Sequence, residues 1–224
     1  MSLQTKVMVV ESVEFLVMAL ALFLPAGTVA WPAAWVFLGL LFVCSLPITW
    51  WLLKYDPGLI EERMQLRPQL SWDKVFIAIV LVFILFWLIL MPLDAVRFHW
   101  SRMPVELKTL GALVLLISLY ISFLTMRENP YSSAVVRVQK ERAQTVISTG
   151  PYRYVRHPMY TGACLFFLGT ALLLGSWYGV LCTPVFIGLF AVRAVLEERL
   201  LREELEGYAE YTARVKYRFF PHVW

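Results

Sequence analysis

FLVMALALFLPAGTVAWPAAWVFLGLLFVCSLPITWWLL, residues 15–53, runs for 39 residues without one Asp, Glu, Lys, Arg or His. A soluble domain has no place for such a run, whereas a bilayer needs about 20 apolar residues for each spanning helix. Pro25-Ala26-Gly27-Thr28 is a turn signal inside it, so the stretch reads as two spans, about 11–29 and 33–53. Further charge-free runs lie at 75–93, 109–126 and 158–192, and the four together hold 111 of the 224 residues. The last is divided by Gly175-Ser176-Trp177-Tyr178-Gly179. The remaining spans are therefore expected at about 75–93, 108–126, 159–175 and 179–196. The fold class this predicts is all-α, a polytopic membrane protein of about six transmembrane helices.

Composition agrees. Apolar residues are 60% of the chain, against roughly 45–50% in soluble domains, and charged residues only 16%. The first span does not read as a cleavable signal peptide, because the apolar run continues into a second helix with no polar cleavage site. Cys44, Cys164 and Cys182 all sit inside apolar runs, which argues for small packing residues and against a disulfide framework or thiolate metal site. His99, His157 and His222 have no ligand spacing, so no metal is expected. No internal repeat supports a secondary-transporter architecture.

The net charge of +4 is not taken as a nucleic-acid signal, because the basic residues are sorted by side. With the N-terminus cytoplasmic, 17 of the 20 Lys and Arg fall on that face; only Arg97, Arg102 and Lys108 fall outside. Both termini are thus expected in the cytoplasm, together with the 54–74 loop, the 127–158 loop and the tail from Arg193. Eight of the nine Trp lie near span ends, as an interfacial aromatic belt requires. Chemistry belongs on the cytoplasmic side, since the outer turns within the two split runs are too short to host it.

After the fourth span comes RENPYSSAVVRVQKERAQTVISTG, residues 127–150, a polar connector with no helical period. GPYRYVRHPMYTG, residues 150–162, follows, and Pro158 is placed to open the fifth span at its first turn. A helix start offers free N–H groups to an anion, and the aromatics offer faces to a cation or an adenine. The same Tyr, Arg and His residues also suit plain interfacial anchors. At the end of the sixth span, Arg193 and Glu197 are one turn apart on one face. They read either as a site or as an i,i+4 pair. Glu198 and the charges after it read as a solvated helix.

GPYRYVRHPMYTG, then RAVLEERLL (193–201), then GYAEYTARVKYRFFP (207–221) resemble the isoprenylcysteine carboxyl methyltransferase family. That family belongs to a membrane methyltransferase superfamily that also holds phospholipid N-methyltransferases. The resemblance covers roughly 127–224, and DPGLIEERM (56–64) is similar to bacterial members. It implies two regions: helices one to four in 1–126, and a cofactor region in 127–224 whose connector and C-terminal helix cap the pocket. The cofactor implied is S-adenosyl-L-methionine, held by Gln139, Gln144, Thr145, Val146, Ile147, Tyr152, His157, Pro158, Met159, Tyr160 and Glu197. Arg193 is the implied catalytic residue, facing the acceptor. The connector is two residues shorter than the family's pattern, with Gln144 where a His is common. No strand-associated GxGxxG is present, in keeping with a pocket not built on a dinucleotide fold.

The implied acceptor is a lipophilic or prenylated carboxylate reaching the site from the bilayer, with membrane lipids as surroundings and no nucleic acid or metal as partner. N- or S-methylation of a phospholipid or small hydrophobic nucleophile is the alternative. A sterol-reductase-like enzyme or a non-catalytic membrane protein ranks lower. The brevity of the chain suggests a bacterial inner membrane.

Overall fold

The computed structural model describes residues 2–64 and 70–224. Arg67, counted above among the cytoplasmic basic residues, lies outside the described residues. Eight α-helices are present among them: α1 (Leu3–Ala26), α2 (Pro32–Tyr55), α3 (Pro57–Met64), α4 (Ser71–Pro92), α5 (Val105–Glu128), α6 (Pro158–Leu174), α7 (Trp177–Glu204) and α8 (Tyr208–Arg214). No strand occurs among the described residues.

Both expected interior turns form, and glycine makes each one. Gly27 takes φ 71° and its N–H returns to Phe23 and Leu24 carbonyls; Gly175 takes φ 82° and returns to Ala171 and Leu172. These left-handed caps end α1 and α6 where a side-chain-bearing residue would be strained. Pro32 and Pro158 open α2 and α6 at their first positions, where a missing N–H is harmless.

Among the described residues, five helices are long and apolar enough to cross a membrane: α1, α2, α4 with its π-helical extension to Arg97, α5 and α7. The sixth expected span, α6, has 17 residues and is shorter. It is also the most enclosed. Cys164, Phe167 and every residue from Gly169 to Leu174 are buried, with α5 and α7 as its main neighbours. α7 does the opposite. Its 28 residues span roughly 42 Å at 1.5 Å per residue, about 12 Å more than a hydrocarbon core, so its last turns stand clear of the apolar layer.

The core is aromatic. Phe167 and Phe186 stack with centroids 3.6 Å apart, and Trp87 packs edge-on to both. The indole N–H of Trp87 donates to the Gly179 carbonyl at 3.0 Å. Outward-facing Met8, Val13, Leu16, Val82 and Leu181 remain exposed, as lipid-facing side chains do. At the end remote from the connector, fully buried Asp94 accepts from Ser101 and Ser176 hydroxyls, both at 2.6 Å, and from the Tyr178 N–H at 3.3 Å. It staples the α6–α7 turn to the segment after α4.

α5 and α6 approach closely through small residues. A Cβ on Gly169 would come within 2.7 Å of the Leu115 backbone nitrogen and 3.0 Å of the Gly111 carbonyl. Such contacts hold helices together in lipid, where hydrophobicity does not. Gly169→Val is expected to force the pair apart and lower the melting temperature in detergent by several degrees, whereas Gly188→Ala, a position open to lipid, should leave it unchanged.

Candidate active site

The two motif ends meet around Glu198. Its side chain is 3% exposed and takes Arg156 Nε at 2.7 Å, His157 Nε2 at 3.1 Å, Arg218 Nε at 3.2 Å and Arg218 Nη2 at 3.1 Å. Arg156 Nη1 also donates to the carbonyls of Val215 and Lys216, at 2.8 and 2.7 Å. The backbone N–H groups of Arg156 and His157 donate to Tyr217 and Arg218 carbonyls, both at 2.9 Å. The tail after α8 is thus strapped along the start of α6. Glu198 is not the solvated helix residue expected from the charges around it; it is the common counter-ion of two arginines.

Glu197, one residue earlier, points elsewhere. It accepts from the Tyr160 hydroxyl at 2.6 Å, and His157 Nδ1 lies 3.8 Å away. His157 and Tyr160 stack at 5.3 Å, and Tyr160 stacks in turn on Phe190.

Arg193 is buried too, and its ion-pair partner lies far off in sequence. Nη2 lies 3.0 Å from Asp73 Oδ1 and donates to the Ala134 carbonyl at 2.8 Å, while the guanidinium sits over Phe76 and Tyr160. Asp73, in the first turn of α4, also accepts the Val136 N–H at 2.9 Å. Asp73 therefore joins α4, the connector and α7. α3 holds the connector from outside. Arg137 pairs with Glu62 through Nε at 3.0 Å and Nη2 at 2.7 Å, and Arg63 donates to the Ser132 carbonyl at 2.9 Å. The hydrogen bonds from Arg137 pull the Glu62 carboxyl below its ordinary range.

These elements enclose a cavity of about 550 Å³, within the size range of small-molecule sites. Ten of the residues implied by the resemblance line it: Gln144, Thr145, Val146, Ile147, Tyr152, His157, Met159, Tyr160, Arg193 and Glu197. Gln139 and Pro158 do not. Gln139 is fully buried inside the connector, donating to the Tyr131 carbonyl and accepting from Arg142, while its own N–H donates to Gln144 Oε1. Pro158 is the opening residue of α6. The lining also holds residues that sequence reasoning passed over, Arg63, Asn129, Arg156, Tyr208 and Tyr211 among them. Asn129 donates to the Tyr152 hydroxyl at 2.8 Å, and burial pushes the Tyr152 and Tyr208 phenols up. Both stay neutral donors at neutral pH.

The wall is two-toned. Towards the connector it is polar; towards the bundle it is Ile84, Ala163, Phe166, Phe167 and Phe190. Three buried polar atoms on the lining residues have no partner among the described residues: Tyr208 Oη, Arg193 Nε and Ser118 Oγ. Unmet donors in a concave site are what an incoming polar molecule can satisfy. They fit a cofactor with ribose, amine and carboxylate groups.

Parts of the chain resemble known proteins. Residues 107–206 match the family model for phospholipid methyltransferases. The protein-S-isoprenylcysteine O-methyltransferase of Saccharomyces cerevisiae is 30% identical over 128 residues, 54% of this chain and 52% of that one. That of Schizosaccharomyces pombe is 31% identical over 85 residues, 37% and 36% of the two chains. The chain spans about half the length, or less, of these curated relatives. A solved eukaryotic intramembrane Ras methyltransferase, an isoprenylcysteine carboxyl methyltransferase, superposes with TM-score 0.52 over 93% of this chain and 73% of that one, at 17% identity. The chain thus has an all-helical membrane fold like that of the solved methyltransferase, and its residues 107–206 resemble the phospholipid methyltransferases. The curated sequences that it resembles over part of its length are protein-S-isoprenylcysteine O-methyltransferases.

Removing one partner from a buried ion pair typically costs about 3–5 kcal/mol. Glu198→Gln is expected to lower detergent-phase thermal stability by that order and to expose the 215–219 strap to protease. Glu203→Gln, on the exposed end of α7, should do neither.

Proposed function

We propose that this protein transfers a methyl group from S-adenosyl-L-methionine to the carboxylate of a lipophilic acceptor, as its relatives' names indicate for prenylated cysteine. The observation that carries the proposal is the two-toned cavity. Polar groups from the connector, the start of α6 and the end of α7 face apolar side chains of the bundle across one continuous space. When bound, the cofactor supplies an electrophilic methyl on a cationic sulfur.

The chain's own residues then have distinct tasks. Glu197, already oriented by the Tyr160 hydroxyl, takes the cofactor's ammonium. The stacked faces of His157 and Tyr160 lie where a sulfonium gains from aromatic electrons. Thr145, Val146 and Ile147 of the connector line the same cavity. Arg193 holds the acceptor carboxylate through the groups that Asp73 and Ala134 leave available, notably the unpartnered Nε. A carboxylate acceptor would already be a nucleophile, so no residue of the chain would have to act as a base. In-line alignment and the exclusion of water then supply the rate.

In this proposal all six apolar helices cross the bilayer and both termini face the cytoplasm, as the sorting of the basic residues suggests. The cofactor arrives from the aqueous side and the acceptor from the lipid.

The match to phospholipid methyltransferases favours a second reading, methylation of a phospholipid amine. That reaction needs a proton acceptor, and an arginine cannot serve. Assays with a farnesylated cysteine, a phosphatidylethanolamine and a small thiol decide between the acceptors.

Glu197→Ala is expected to weaken S-adenosylhomocysteine binding by tenfold or more in calorimetry. Arg193→Ala should keep that binding within about threefold and reduce turnover by at least a hundredfold; these ratios are of the order that hydrogen bonds to charged groups support. Loss of cofactor binding in Arg193→Ala, with acceptor binding intact, would reverse the two assignments.

A further inference from the structure

Two charged residues of the cavity lining have no oppositely charged arginine, lysine or carboxylate in ion-pair range among the described residues. Four arginines line it: Arg63, Arg137, Arg156 and Arg193. Three face a carboxylate. Arg137 has Glu62, Arg156 has Glu198 and Arg193 has Asp73, at 2.7, 2.7 and 3.0 Å. Arg63 has none among the described residues, its one hydrogen bond going to the neutral Ser132 carbonyl. Residues 65–69, which follow it, contain no Asp or Glu. Burial lowers the readiness of this guanidinium to stay charged, yet an arginine keeps its proton in proteins. On the acidic side, Glu197 is the one carboxylate of the lining. It has the Tyr160 hydroxyl and, at 3.8 Å, His157, with no lysine or arginine in ion-pair range among the described residues.

An unmatched cation and an unmatched anion in the lining of one cavity form the complement of a zwitterion. We propose that Arg63 is the carboxylate-binding residue of this cavity, working opposite Glu197, so that together they grip an α-amino-acid group. This rests on the function proposed above and adds to it a residue from α3, outside the 127–224 region that carries most of the resemblance. The carboxylate has two possible sources, the cofactor's amino-acid end and the acceptor. The pairing with Glu197 favours the first. A charge-assisted, bidentate contact suits the fork of an arginine, and α3 holds that fork in place through Glu62 and Arg137.

The test uses the full-length protein in nanodiscs. Calorimetry compares S-adenosylhomocysteine with decarboxylated S-adenosylmethionine, which keeps the ammonium and lacks the carboxylate. Binding of N-acetyl-S-farnesylcysteine and of its methyl ester is measured in parallel. Wild type is expected to bind S-adenosylhomocysteine at least tenfold more tightly than the decarboxylated compound. Arg63→Met should erase that preference by weakening the first alone, and Arg63→Lys should restore part of it. If the acceptor is the source, Arg63→Met instead leaves both cofactor affinities alone and weakens the farnesylcysteine acid but not its ester. The inference is overturned if Arg63→Met leaves all four affinities unchanged. It is equally overturned if the two cofactor compounds weaken equally, the sign of a mere brace on Ser132. A wild-type protein that binds neither cofactor compound overturns the proposed function and this inference with it.

Discussion

Everything at the connector end of the bundle depends on keeping one carboxylate, that of Glu198, buried between two arginines. A lone carboxylate in that position is prohibitively costly, and so is a lone guanidinium. The charges are tolerable only together, with the remaining guanidinium hydrogens on Val215 and Lys216 carbonyls. That requirement draws the start of α6, the outer end of α7 and the tail into one place. Glu197, His157 and Tyr160 are brought to the cavity as a result, because they are chain neighbours of the paired groups. The motif elements keep their order and spacing because they are parts of one neutralised cluster.

The membrane supplies a second constraint, which divides the cavity's wall in two. Backbone that is not helical has to be buried in protein or face water at membrane depth. The connector meets this by docking on Asp73 and Glu62, whose carboxylates take Val136 N–H and the Arg137 guanidinium. Polar chain is thereby placed over an apolar well floored by Phe167 and Phe190. A molecule with a charged end and an oily end matches that gradient without bringing charge into lipid.

The fold was legible in the residues because hydropathy is a long-window property that four uncharged runs state without ambiguity. Helix ends were less so. α1 starts at Leu3 rather than near residue 11, and α7 continues to Glu204, since a polar face does not end a helix lacking a breaker. Within the site, the aromatic and histidine cluster at the start of α6 was legible from its motif. Asp73, Glu62 and Arg63 were not, because they meet the connector and α7 across more than 60 positions with no local period to mark them. Glu198 was misread because its neighbours make an ordinary amphipathic pattern. The signal that identifies it is the surplus of arginines at 156 and 218, which cannot be buried without an acid.

The glycine-lined contact between α5 and α6 has a consequence for traffic. A seam closed by backbone against backbone has no side chain that can swing aside, so it opens only by pulling two helices apart. The seams of α4 with α6 and α7 are closed by rings instead: Trp87 on Phe167, Phe76 on Phe190, Phe83 on Phe186. These rings belong to or pack against the buried core, so of the two sides the glycine seam is the one that rules out passage without separating helices.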